Sequence, residues 1–90
     1  MLEIRYSNQF KKDYQLIQKR GYDINKLKHV VQLLAKGKPL PTKYKEHYLR
    51  GNYKGFRECH IQPNWLLIYM IEDDKITLTV SRTGSHSDLF

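Results

Sequence analysis

The sequence predicts an α+β fold of element order β-α-α-β-β-β with a short C-terminal turn. Three patterns point to it. An opening segment alternates apolar and polar residues, two apolar stripes at helical spacing follow, and turn residues divide three further strand-like segments. The change of period, from 3.6 to 2, separates a helical half from a sheet half.

Leu2, Ile4 and Tyr6 alternate with Glu3 and Arg5, the pattern of a half-buried strand. Ser7 offers an N-cap, and Phe10, Tyr14 and Ile17 follow at helical spacing until Gly21 stops the helix. Asp23 caps a second helix with the stripe Ile24, Leu27, Val30, Val31 and Leu34, ended by Gly37 and Pro39. The two helices form an αα-hairpin that turns at Gly21-Tyr22. Residues 37–52 carry Pro39, Pro41 and Gly51 among many lysines and read as an ordered but irregular loop. Residues 53–61 form the next strand, and Gln62-Pro63-Asn64 is a tight turn. Residues 65–71 are apolar on both faces and belong at the centre of the sheet. After a turn at Glu72-Asp73-Asp74, Ile76, Leu78 and Val80 alternate with Thr77, Thr79 and Ser81 in the last strand.

A chain of 90 residues is expected to form a single domain, residues 1–90. Hydrophobic content of 40% and charged content of 28% are ordinary for a folded chain and argue against disorder. The net charge is +7, from 16 Lys+Arg against 9 Asp+Glu, and it is unevenly spread. Between Ile24 and Arg57 stand Lys26, Lys28, Lys36, Lys38, Lys43, Lys45, Arg50, Lys54 and Arg57, with Glu46 the only acid. Such a stretch suits a nucleic acid or an acidic protein, or it is simply a solvated basic surface. Cys59 is the only cysteine, so no intrachain disulfide can form and a reducing cytoplasm is the expected location. Residues 1–12 contain no signal-like apolar run, and residues 65–71 fall far short of the roughly 20 needed to cross a bilayer. No membrane role is expected.

The chemistry-bearing residues are His47, His60, His86 and Arg82. Imidazole exchanges protons near neutrality, and arginine supplies a permanent charge shaped for phosphate. In an antiparallel meander the end of one strand lies beside the start of the next. His60, Asn64, Trp65 and Arg82 should therefore share one end of the sheet, with Gly84 and His86 just beyond. Parity complicates Arg82, which shares a side with Ile76, Leu78 and Val80; either it lies past the core or the strand twists there. His47 lies upstream of the meander, and only a folded-back loop would bring it near.

Metal-free RNA cleavage uses the 2′-hydroxyl as nucleophile and needs a base, an acid and a cation. Two histidines can move the protons, each contributing on the order of 10²–10⁴-fold, and Arg82 can steady the charged phosphorane. Trp65 or Phe90 could stack on a splayed base, and Lys54 and Arg57 are further candidates to bind substrate. Structural roles compete with these. Trp65 could be pure core, Arg82 could pair with Glu58 or Asp88, and His86 could cap the closing segment. Cys59 reads as a small buried residue and His29 as exposed, and no zinc-type Cys/His spacing is present. No cofactor is expected.

The strings Tyr44-Lys45-Glu46-His47-Tyr48-Leu49-Arg50-Gly51, Gly55-Phe56-Arg57-Glu58-Cys59-His60, Pro63-Asn64-Trp65-Leu66-Leu67-Ile68-Tyr69 and Arg82-Thr83-Gly84-Ser85-His86-Ser87-Asp88-Leu89-Phe90 carry a resemblance. In order and spacing they resemble the YafQ branch of the RelE/ParE toxin superfamily. The likeness implies a compact RelE-like domain, two helices packed on one curled, mostly antiparallel sheet. It also implies the toxin of a type II toxin–antitoxin pair, a ribosome-dependent endoribonuclease that cuts mRNA in the A site without a metal. Carried over by motif, His47, His60, His86 and Arg82 would be catalytic, with His86 as acid, His47 or His60 as base and Arg82 as phosphate clamp. Trp65 and Phe90 would shape the codon pocket. The implied partners are an acidic antitoxin that folds on binding, the ribosome with its mRNA, and operator DNA through the antitoxin. Asn64 departs from the pattern, since YafQ-like toxins tend to carry aspartate there. An amide can orient a histidine or bond a base edge but cannot act as a base. Other readings of the chain are a ParE-like gyrase poison on the same fold and a non-catalytic nucleic-acid-binding domain.

Overall fold

The computed structural model describes Met1–Phe90. Strand β1 (Glu3–Tyr6) leads into helices α1 (Asn8–Lys19) and α2 (Ile24–Ala35). A loop with one short turn, Thr42–Tyr44, reaches β2 (His47–Tyr48), and a second such turn, Gly51–Tyr53, precedes β3 (Arg57–Gln62). Then come β4 (Trp65–Glu72), β5 (Thr77–Gly84) and a single helical turn, α3 (His86–Leu89). The sheet order is β1-β5-β4-β3-β2, with β1 parallel to β5 and every other pair antiparallel.

The helices start where the sequence supplies caps. The Ser7 hydroxyl accepts the Phe10 N–H at 2.9 Å, and the Asp23 carboxylate accepts the Asn25 N–H at 3.1 Å. Gly21, at φ 77°, turns the chain between them as only glycine does without strain. Both apolar stripes are buried against one sheet face: Phe10, Ile17, Leu27, Val30, Val31 and Leu34 meet Cys59, Ile61, Trp65, Leu67, Tyr69, Leu78 and Val80. Burial raises the Cys59 thiol well above its usual range, with Glu46 and Glu58 adding to the effect. No helix is long and apolar enough to cross a membrane.

A smaller apolar cluster forms on the opposite face, where Leu66, Ile68 and Leu89 pack with Leu49, Tyr53 and Phe56. Strand β4 is buried on both faces from Trp65 to Tyr69, as a central strand should be.

The expected short C-terminal turn is present as a capped helical turn, in which the Ser85 and Asp88 side chains bond each other's backbone N–H. Three local expectations are corrected. The meander's first strand starts at Arg57 rather than at residue 53, because Gly51–Tyr53 coils and Gly55 takes φ 92°. His47 and Tyr48 form a strand of their own on β3. Ile76 is not the first core position of β5. It closes the Asp73–Lys75 turn at φ 52° and is 60% exposed.

The parity of Arg82 is settled by a bulge. Val80 stands opposite Tyr69 but Arg82 opposite Ile68, so Ser81 is one residue too many. Arg82 thereby leaves the helix-covered face that Leu78 and Val80 share. The Ser7 hydroxyl fastens this spot, donating to the Ser81 carbonyl at 2.6 Å while it caps α1. Replacing Ser7→Ala removes both bonds, and the loss expected in urea denaturation is about 1–2 kcal/mol. An unchanged midpoint would mean that the bulge holds without it.

Candidate active site

The face turned away from the helices is organised by cross-strand pairing, since residues directly opposite one another share a face. One row runs His47–Glu58–Ile68–Arg82 across β2, β3, β4 and β5. The next row, toward the sheet's end, runs His60–Leu66–Gly84, and α3 follows directly. The convergence expected from strand reversal is thus present for His60, Asn64, Arg82 and His86, with Asn64 in the β3–β4 turn. His47 joins them through the two-residue strand β2.

Glu58 sits between two imidazoles. Its Oε1 is 3.5 Å from His47 Nε2 and 3.5 Å from His60 Nε2, and the rings lie 6.3 Å apart. The residue is only 6% exposed, whereas both histidines reach solvent. His47 Nδ1 donates to the Lys45 carbonyl at 3.0 Å, which fixes the tautomer and turns Nε2 toward Glu58.

Arg82 pairs with neither Glu58 nor Asp88. Its Nε and one terminal nitrogen lie 2.8 and 3.2 Å from the Asp13 carboxylate of α1. That carboxylate, 6% exposed, also accepts the Thr83 N–H at 3.2 Å and the Gln9 amide at 3.2 Å. The Asp13 hydrogen bond holds the Arg82 guanidinium above its ordinary pKa against partial burial, and Tyr53 adds in the same direction. The N–H groups that neither Asp13 nor Tyr53 engages can meet an anion.

Helix α3 closes the end of this face. Leu89 inserts against Leu66 and Ile68, while Asn64 Oδ1 accepts the His86 N–H at 3.2 Å. His86 meets Phe90 edge-on at 5.2 Å, and Phe90 meets Tyr53 at 5.9 Å. Phe90 is 58% exposed and free to stack. On the flank, Arg20 at the end of α1 grips Asp88 through two bonds of 2.6 and 3.2 Å.

Two candidate substrate contacts are not on this face. Trp65 is 1% exposed; its Nε1 donates to Thr83 Oγ1 at 3.0 Å and its ring packs edge-on to Tyr22 at 4.9 Å. It is a core residue on the helix side and has no surface to offer a nucleobase. Arg57 pairs in register with Tyr69 on that same helix-covered side, lies 3.7 Å from Glu46 and stacks over the Tyr48 ring at 4.8 Å. Lys54 is exposed next to Tyr53 and makes no ion pair.

Glu58, Tyr53 and Asp13 were not among the expected site residues. Glu58 was legible: it lies two positions from His60 on one strand and must share its face. Asp13 also left a signal, because it interrupts the stripe of Phe10, Tyr14 and Ile17, and a buried carboxylate demands a partner. Tyr53 left none, since it reads as a strand start.

The comparisons converge on one class of protein, the toxins of bacterial type II toxin–antitoxin systems. Residues 2–90 match the family model described as bacterial toxin of type II toxin-antitoxin system, YafQ. The mRNA interferase toxin YafQ of Escherichia coli K12 is 47% identical over 89 residues, covering 98% of this chain and 95% of that one. A metal-bound toxin from Helicobacter pylori superposes with TM-score 0.94 at 48% identity, with 100% of both chains covered. YafQ in the E. coli DinJ–YafQ complex gives TM-score 0.91 at 47% identity, covering 100% of this chain and 99% of that one. The chain therefore belongs to the YafQ toxin family.

The Arg20–Asp88 pair makes a pH prediction. Asp88 is held well below the usual carboxylate range, chiefly by Arg20 and then by the Ser85 N–H. A carboxylate with a depressed folded pKa stabilises the fold above its unfolded pKa, and that contribution is lost as pH falls. Asp88→Asn should lower Tm by a few degrees near neutrality, and the gap should narrow steadily as pH falls below about 5 into strong acid. A gap that persisted in acid would assign the effect to something other than this charge.

Proposed function

We propose that this chain is the toxin of a type II pair and acts as an endoribonuclease on translated mRNA in the ribosomal A site. The observation that supports this best is the single sheet face holding His47, His60 and Arg82, with Glu58 between the two imidazoles and His86 beside it on α3. His47 or His60 takes the proton from the 2′-hydroxyl, whose oxygen then attacks the adjacent phosphorus. Arg82 meets the negative charge that develops on the phosphorane. His86 protonates the departing 5′-oxygen, leaving a 2′,3′-cyclic phosphate, so both proton transfers are served by side chains and none requires a metal. Glu58 is a positioning residue: a fixed anion between the rings stabilises the imidazolium formed during turnover. Phe90, backed by Tyr53, stacks on the exposed base, Asn64 orients the start of α3, and Lys54 contacts the RNA backbone.

The K12 relative carries the name mRNA interferase, and the E. coli complex pairs YafQ with DinJ. By the same logic the partner of this chain is an acidic antitoxin that folds against the basic surface, and operator DNA is reached through that complex. A toxin that acts on translating ribosomes would work in the cytoplasm. A gyrase poison or a passive binding domain would leave the face of imidazoles without a task.

Mapping 5′ ends on translated mRNA, with and without ribosomes, tests the reading. The parent protein should cut only with ribosomes, and His86→Gln should lower the rate on the order of 10²–10⁴-fold without unfolding. Glu58→Gln should lower kcat about tenfold to a hundredfold and displace the pH–rate profile, with partial rescue by Glu58→Asp. Full cleavage by folded His86→Gln, or equal cutting of free RNA, overturns it.

A further inference from the structure

Beyond the imidazole face lies a second feature, to which the proposed reaction gives no role. A cleft of about 530 Å³ opens between the start of α2, the Thr42–Tyr44 turn and the end of β3. Lys26, His29, Lys43 and Lys45 line it, with the amides of Asn25 and Gln62, and it contains no acidic residue. Lys26, Lys43 and Lys45 belong to the basic stretch that the sequence sets apart, and three of its nine cations thus line one cleft.

The cleft is joined to the candidate active site by two residues. His60 lines it and also faces Glu58. Lys45 lines the cleft as well, and its carbonyl accepts from His47 Nδ1 at 3.0 Å. Lys45 itself takes φ 49°, a left-handed backbone that non-glycine residues adopt only where the surroundings hold them. Lys43 is steadied too, its ammonium lying 5.1 Å from the Tyr44 ring centre.

We propose that this cleft is a subsite for single-stranded RNA, holding the phosphates that flank the scissile one on the His60 side. The inference rests on the ribonuclease reading above. A strand lying across the face must leave it in both directions. At the α3 end it meets Phe90, Tyr53 and His86, which suit a base. At the His60 end it meets ammonium groups and amides, which suit phosphate and ribose. An acidic antitoxin segment offers the same charge but no reason to run on from His60, so RNA is the occupant the geometry favours.

The test uses the full chain and a fluorescent RNA oligonucleotide, 2′-O-methylated so that it cannot be cut. Binding is read by anisotropy at several salt concentrations. Lys26→Ala with Lys43→Ala should reduce the salt slope by about 1.4, roughly 0.7 for each phosphate of a single strand that is no longer neutralised. The same slope converts to roughly ten- to thirtyfold weaker binding near 0.1 M salt. Lys19→Ala with Lys36→Ala removes equal charge from outside the cleft and should change both values by less than half as much. Equal losses in the two doubles would reduce the cleft to general basicity and overturn the proposal. Unchanged oligonucleotide binding overturns it as well: combined with weaker ribosome binding it would assign the cleft to ribosomal RNA phosphates, and combined with weaker binding of an acidic peptide, to the antitoxin. Because the probe is uncleavable, a protein that binds it as predicted yet cuts no mRNA would defeat the catalytic reading and spare this one.

Discussion

In a pleated sheet the face a residue occupies is set by parity, and parity changes only where a bulge adds a residue. This protein has two such places, both near the end where the candidate site lies. Without Ser81 as an extra residue, Arg82 would stand opposite Leu67 and point into the helix-covered core. Without the shift between His60 and Gln62, His60 would oppose Leu67 as well, instead of Leu66. A guanidinium and an imidazole reach the open face because each strand gains one residue. Glu58 depends on the β3 shift as His60 does, because the two residues share one face of that strand.

A bulge exposes backbone that the ladder would otherwise satisfy, so it needs support. Strand β1 pairs with β5 only as far as Val80, and from Ser81 onward α1 takes over that edge. Ser7 binds the Ser81 carbonyl, and Asp13 binds both the Thr83 N–H and the Arg82 side chain. Asp13 is costly to bury alone, yet four donors surround it. Removing one partner of a buried pair typically costs about 3–5 kcal/mol, and Arg82's partial exposure reduces that figure here. The same carboxylate that steadies the bulge aims the guanidinium, so stability and site geometry share one interaction.

Much of this is legible in the residues alone. Period and caps mark both helices, and antiparallel reversal gathers His60, Asn64, Arg82 and His86 at one end. What is not legible traces to local register. A two-residue turn pairs Gln62 with Trp65, and in a straight strand Gln62 shares a face with His60, which would have put Trp65 beside the histidine. The bulge in β3 breaks that equivalence, and Trp65 falls with Leu67 and Tyr69 into the core. His47 is hard to place because a strand of two residues has no periodicity to read. Arg57 suffers from the opposite fault: its charge suggests RNA, while its parity with Cys59 and Ile61 already puts it on the covered side.

The departure at Asn64 can now be read in the same physical terms. Its Oδ1 accepts the His86 N–H, the bond that ties the β3–β4 turn to α3. An aspartate would accept that bond equally well and bring a negative charge next to the proposed RNA site. The amide keeps the orientation and removes the charge. Helix α3 then depends on neutral and ionic contacts in separate places, Asn64 and Leu89 toward the sheet and Arg20–Asp88 on the outer flank. A residue at this position serves His86 by holding its backbone, and what distinguishes the two side chains is the field they impose on an approaching anion. In a chain of net charge +7, an uncharged Asn64 adds no opposing carboxylate beside His86.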